Sequence, residues 1–142
     1  MTNSKVSPEQ EIKGKEYANE YQLHKAVVEW VDLQYPHILY RSDYGGVKLS
    51  IGTARKMKAL NRLRGYPDLF IIEPNEYYRG LFIEIKTKET NIYKKDGKTF
   101  STPHIKEQFE YLQKLRERKF VANFGVGFDN IKNLINEYLS NF

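Results

Sequence analysis

The element order predicted from the sequence is α-β-α-β-β-α-β-α, an α/β fold in a single domain. Two patterns predict it. Apolar residues recur at helical spacing in four separated segments, and short apolar runs bounded by Pro, Gly and polar clusters stand between them. A third observation limits the size: 142 residues with 40% apolar and 14% aromatic composition suit one core and leave no room for two domains.

From Asn19 to Leu33 the positions Leu23, Val27, Trp30 and Val31 recur at helical spacing, with Asn19 as N-cap and Pro36 beyond the end. Ile38 to Arg41 reads as a short strand, and Gly45-Gly46 as a turn or bulge. Thr53 is placed to cap a second helix reaching about Leu63. Ala54, Met57, Leu60 and Leu63 would face inward, and Arg55, Lys56, Lys58, Arg62 and Arg64 outward. The apolar runs Leu69 to Ile72 and Leu81 to Ile85 flank a turn-rich segment and predict an antiparallel hairpin. Residues 89–102 read as a mobile basic excursion with an exposed tip, where Asp96-Gly97 favours a tight turn. A helix from Pro103 to about Arg118 would pack Ile105, Phe109, Leu112 and Leu115; Phe120 to Val126 reads as a strand and Asp129 to Leu139 as the last helix. Residues 1–18 read as a loose lead-in to a domain over 19–142.

Composition excludes several chemistries. The chain has no Cys, so disulfides, thiolate zinc sites and cysteine nucleophiles are out, and His24, His37 and His104 are too scattered for a histidine metal site. No apolar run reaches the roughly 18 residues of a membrane span, and no signal-peptide core opens the chain. The expected protein is soluble and cytoplasmic, without a membrane or nucleotide cofactor.

The net charge of +5 is modest, but it is unevenly placed. Residues 41–64 carry 7 basic groups against Asp43 alone, residues 65–85 sum to −3, and residues 86–106 to +4. An acidic stretch between two basic ones suits a metal site within a phosphate-binding surface.

That acidic stretch contains Gly65-Tyr66-Pro67-Asp68 and Leu81-Phe82-Ile83-Glu84-Ile85-Lys86. Strand alternation puts Leu81, Ile83 and Ile85 on one face and Glu84 and Lys86 on the other, roughly 6 to 7 Å apart. If the hairpin is symmetric about residues 76 and 77, Asp68 falls opposite Ile85 and lands beside Glu84 and Lys86. Two carboxylates on adjacent strands offer hard oxygen ligands to Mg²⁺, and a neighbouring ammonium can orient water and stabilise phosphate charge. That arrangement suits phosphodiester hydrolysis. Glu20, at the start of the apolar stripe of the first helix, is either a further ligand or a charge favoured by the helix N-terminus. Gln108, on the first turns of the 103–118 helix, could position water or phosphate. The same Glu-x-Lys spacing at Glu11 to Lys13 and at Glu117 to Lys119 lacks this context and is assigned nothing.

At these residues the chain resembles the VRR-NUC family of PD-(D/E)xK nucleases, in its stand-alone virus or phage type. The likeness runs from about Asn19 to Leu139. It includes Glu20 with Leu23 and Trp30, Ser42-Asp43-Tyr44-Gly45-Gly46-Val47-Lys48-Leu49, Gly65-Tyr66-Pro67-Asp68-Leu69-Phe70-Ile71, Gly80-Leu81-Phe82-Ile83-Glu84-Ile85-Lys86, Gln108 and the strand Val121 to Val126. The resemblance implies a restriction-endonuclease-like fold, a central mixed β-sheet flanked by helices. It implies that Asp68 and Glu84 bind the divalent metal with the Ile85 carbonyl, that Lys86 serves the attacking water, and that Glu20 and Gln108 complete the site. The implied activity is Mg²⁺-dependent, or Mn²⁺-dependent, cleavage of branched DNA by a homodimer in a bacterial or phage-infected cell. Backbone phosphates would be held by Lys48, Arg55, Lys56, Lys58, Arg62 and Arg64, and by Lys88, Lys94, Lys95 and Lys98. Two other readings stay open at this level: a catalytically silent DNA-binding module, and a nuclease that acts only with a partner chain in a replication, repair or packaging assembly.

Overall fold

The computed structural model of the chain describes residues 17–44 and 48–140. Residues 1–16 of the expected lead-in over 1–18 lie outside the described residues, as does the Gly45-Gly46 turn.

Helix α1 (Glu20–Gln34) starts at Asn19, whose side chain accepts the Gln22 N–H as an N-cap should. Strand β1 (Tyr40–Ser42) follows, then α2 (Ile51–Leu60), β2 (Leu69–Ile71) and β3 (Leu81–Lys86). Helix α3 (Pro103–Arg116), capped by Thr102 with Pro at its first position, leads to β4 (Val121–Val126) and α4 (Phe128–Leu139). The predicted order of elements is the observed one.

The four strands form one mixed sheet in the order β1-β2-β3-β4, antiparallel except for the parallel pair β3 and β4 that α3 connects. Alternation along β2 and β3 sends Leu69, Ile71, Leu81, Ile83 and Ile85 to one face. There they meet Leu23, Val27 and Val31 of α1 and Phe128, Ile131 and Ile135 of α4. Phe82 points to the other face and packs with Leu112 of α3 and Ala122, flanked by Phe70, Leu115, Phe120 and Phe124. Each fully buried Leu or Ile contributes on the order of 1.5–3 kcal/mol, so β3, buried throughout, anchors both layers.

Two expectations change. The hairpin register is Leu69↔Ile83, Phe70↔Phe82, Ile71↔Leu81, one residue from the predicted pairing. The tip does centre on residues 76 and 77: the Asn75 N–H donates to the Tyr78 carbonyl, and the Asn75 side chain accepts the Tyr77 and Tyr78 N–H groups. Between tip and ladder, however, the arm containing Pro74 holds one residue more than its partner arm. Continued one step, the register brings Asp68 level with Glu84, and directly opposed residues share a face.

The second helix is capped by Ser50, which accepts the Thr53 N–H, and it ends at Leu60. None of its residues is buried: Met57 is 46% exposed, Leu60 80%, and Leu63 beyond it 68%. Among the described residues, the inward face predicted for it has nothing to pack on, because α1 and α4 cover one side of the sheet and α3 the other.

The segment after β3 is ordered by its own bonds. Tyr93 bridges Phe100, Lys94 and Thr99 pair, and Asp96 accepts the Lys98 and Thr99 N–H groups around Gly97 at φ +70°. Asp96-Gly97 thus makes the expected tight turn, and Phe100 stacks on Tyr93 and leans on Phe109 of α3.

Candidate active site

The strands deliver the key groups to one end of the sheet. Lys86 is the last residue of β3, with Glu84 on the same face two positions earlier, and both are buried. Just before β2, Asp68 accepts the Ile85 N–H at 2.8 Å through Oδ2, a side-chain bond that extends the β2–β3 ladder. Glu20, in the first turn of α1, sends Oε1 to 3.8 Å from Lys86 Nζ, while Glu84 Oε2 lies 4.0 Å from the same nitrogen. Gln108, buried on α3, reaches the group from the opposite layer.

These five residues line one cavity of about 370 Å³, together with Asp43, Tyr44, Gly65, Tyr66 and His104. All five predicted catalytic positions therefore converge. Gly65 makes the convergence possible. At φ +88°, it lies so close to α3 that a Cβ there would stand 2.8 Å from the Glu107 carbonyl oxygen and 3.1 Å from Gln108 Cα. The loop bearing Asp68 and the helix bearing Gln108 can meet only across a residue without a side chain.

Four carboxylates thus face the cavity against the single ammonium of Lys86. Burial, a hydrogen bond to Asp68 and the Asp68 charge push the Glu84 carboxyl up to about 10, with Lys86 opposing. Burial also raises Glu20, eased by Lys86 and His104 and reinforced by Asp68. Two buried oxygens, Glu84 Oε1 and Gln108 Oε1, have no hydrogen-bond partner. Buried polar atoms are nearly always satisfied, so this pair marks a place for a bound cation, water or substrate. Among the described residues, no ready-made cluster of three or more His, Cys, Asp or Glu side chains could hold a metal by itself. The donor set nonetheless fits a hard cation: adjacent carboxylates with an unpartnered oxygen, to which Mg²⁺ adds water ligands and substrate oxygens.

Some cavity residues escaped the sequence reading. Asp43 reaches the site because β1 pairs with β2, its N–H donating to the Asp68 carbonyl at 2.8 Å. His104, too far in sequence from the other histidines to suggest a shared site, lies at the start of α3 in the cavity wall, just after Pro103. His24 is a core histidine whose Nε2 lies 2.9 Å from Ser42 Oγ, and burial holds its pKa low. His37 is exposed.

The residues expected to hold phosphates, Lys48, Arg55, Lys56, Lys58, Arg62, Arg64, Lys88, Lys94, Lys95 and Lys98, are all exposed. They fall in two groups, one on and around α2 and one on the hairpin between β3 and α3. Of the first group, Arg64 Nε lies 3.9 Å from Glu107 Oε2, a loose surface pair.

The mixed four-stranded sheet with helices on both faces is a PD-(D/E)xK-like fold. A solved structure described as a VRR_NUC domain protein is similar to this chain, with a TM-score of 0.58 and 26% identity over 89% of this chain and 93% of that one. The VRR-NUC resemblance seen in the sequence is thereby borne out in the fold. No protein-family model and no curated protein matches the chain. Among the described residues, no helix is long and apolar enough to cross a membrane.

Proposed function

We propose that this chain is a divalent-metal-dependent DNA endonuclease that hydrolyses phosphodiester bonds, selective for branched DNA and active as a homodimer. The observation that carries the reading is the pair of unpartnered buried oxygens, on Glu84 and Gln108, in a cavity that also holds Asp68, Lys86 and Glu20. The similarity to a VRR_NUC domain protein supports the nuclease class.

In this reading Asp68, Glu84 and the Ile85 carbonyl hold Mg²⁺ or Mn²⁺, with Glu20 at the margin. Such a cation, when bound, polarises the phosphate and acidifies water. The chain's own groups do the rest. Gln108 accepts a hydrogen bond from the attacking water through Oε1 and so orients it toward phosphorus. Lys86, its ammonium held between Glu20 and Glu84, donates to the water or to a phosphate oxygen and offsets charge developing there. A P–O bond to water forms, the ester P–O bond breaks, and the leaving oxygen takes up a proton. The exposed lysines and arginines hold the strand on either side through its phosphates, which positions it without reading sequence. A silent DNA-binding module would have no use for a buried acid and amide left unpartnered.

The test is cleavage of labelled four-way junction, flap, duplex and single strand by purified protein, with and without Mg²⁺ or Mn²⁺. Metal-dependent cutting, strongest on branched DNA, is expected. Lys86→Ala should lower it by roughly 10²–10⁴-fold, the usual contribution of one positioned proton-transfer or charge-stabilising group, while the protein still folds and binds DNA. Undiminished cleavage by Lys86→Ala would overturn the site assignment.

A further inference from the structure

We infer that the groove beside the active site holds an unpaired nucleotide of the substrate, an inference that rests on the nuclease reading. This second cavity, of about 610 Å³, lies between α2, β1 and α3 and falls within the size range of pockets that accept small organic ligands. It shares Asp43 and Tyr66 with the catalytic cavity, so whatever fills the groove is continuous with whatever is being cut.

The groove suits a base. Tyr66 is 40% exposed, and edge-to-face contacts with Phe82 and Tyr111, at centroid distances of 5.9 and 5.5 Å, fix its ring. Another part of the wall is the apolar side of α2, where Met57, Leu60 and Leu63 are exposed and, among the described residues, no element covers them. Arg41 and Lys58 add cationic groups to the wall. A rigid aromatic, an apolar wall and cations are the components of single-strand binding, in which a base stacks while its phosphates meet charge. Tyr66 lines both cavities, so a base stacked on it lies beside the groups that would attack the phosphate. A base inside a duplex is stacked and paired and can enter only by leaving the helix, a cost that an already unpaired base is spared. The groove therefore selects DNA with an unpaired strand at the cleavage point, such as a flap or a junction with splayed arms.

Binding of a fluorescein-labelled single strand, and of the blunt duplex of the same sequence, is measured by fluorescence anisotropy on the intact chain in EDTA, where no cleavage intervenes. Tyr66→Leu should weaken single-strand binding roughly tenfold, the value of one stacked base, and leave duplex binding as it was. Tyr66→Phe, which keeps the ring, should restore it. Because Tyr66 packs on Phe82, the double variant Leu60→Ser and Leu63→Ser, at two exposed positions, provides an independent arm with the same expected loss. Unchanged single-strand affinity in both arms would overturn the inference, as would a parallel loss on both DNAs. A drop from dimer to monomer in sedimentation of the double variant would also overturn it, since the face would then join two copies of the chain. Wild-type cleavage assays separate the two readings. No cutting of any DNA sinks the nuclease reading, whereas cutting with unaltered single-strand affinity in the variants sinks the groove alone.

Discussion

Replacing Gly65 by Ala tests whether the Asp68 loop and α3 meet as closely as the site requires. The residue sits at φ +88°, where an L side chain costs on the order of 1–2 kcal/mol. The added methyl would lie 2.8 Å from the Glu107 carbonyl oxygen and 3.1 Å from Gln108 Cα, both backbone atoms that cannot swing aside. Loop and helix must therefore separate by several tenths of an ångström, and the total cost becomes about 2–4 kcal/mol. For a chain of this size that lowers Tm by about 5–15 °C, read by circular dichroism or calorimetry. The separation also moves Gln108 away from Asp68, so cleavage at a temperature where the variant is folded should fall as well. A Tm within about 2 °C of wild type, with full activity, would refute the close-approach argument.

Three further outcomes follow from the charges. The folded Glu84 carboxyl is raised from 4.5 to about 10, so the folded state binds its proton more tightly than the unfolded state does. The stabilisation is complete below the lower value and is lost as pH rises toward the upper one. In EDTA, denaturation midpoints should decline over that interval for wild type and stay flatter for Glu84→Gln; equal slopes would contradict the assignment. Added Mg²⁺ should offset the wild-type decline by favouring the carboxylate, because a ligating carboxyl must give up its proton. DNA affinity should fall steeply with salt, and Lys58→Ala or Arg62→Ala should each lower the log–log slope by about 1, measured by anisotropy titrations. An unchanged slope in both would remove α2 from the phosphate-binding surface.

The core of the candidate site is encoded locally. Glu84 and Lys86 alternate on one strand, and Asp68 lies just ahead of the strand that pairs with it, so a turn and a period of two bring them together. The single-residue error in register arose between tip and ladder, where residues 72–74 on one arm lie against 79–80 on the other, an extra residue that no alternation rule counts. Helix α2 shows where periodicity misleads. Met57, Leu60 and Leu63 have the spacing of a buried face, but spacing records which residues share a side and not whether anything covers it.

By itself, the sequence determined the order of elements and the grouping of Asp68, Glu84 and Lys86, because hydrophobic period and short-range pairing act through neighbouring residues. Only the tertiary structure decided that Asp43 and His104 enter the cavity and that Gly65 must lack a side chain. It alone left the apolar side of α2 uncovered by the other described residues, next to the candidate site. Those outcomes depend on which surfaces meet across the sheet, a matter of packing among residues far apart in the chain that no local pattern encodes.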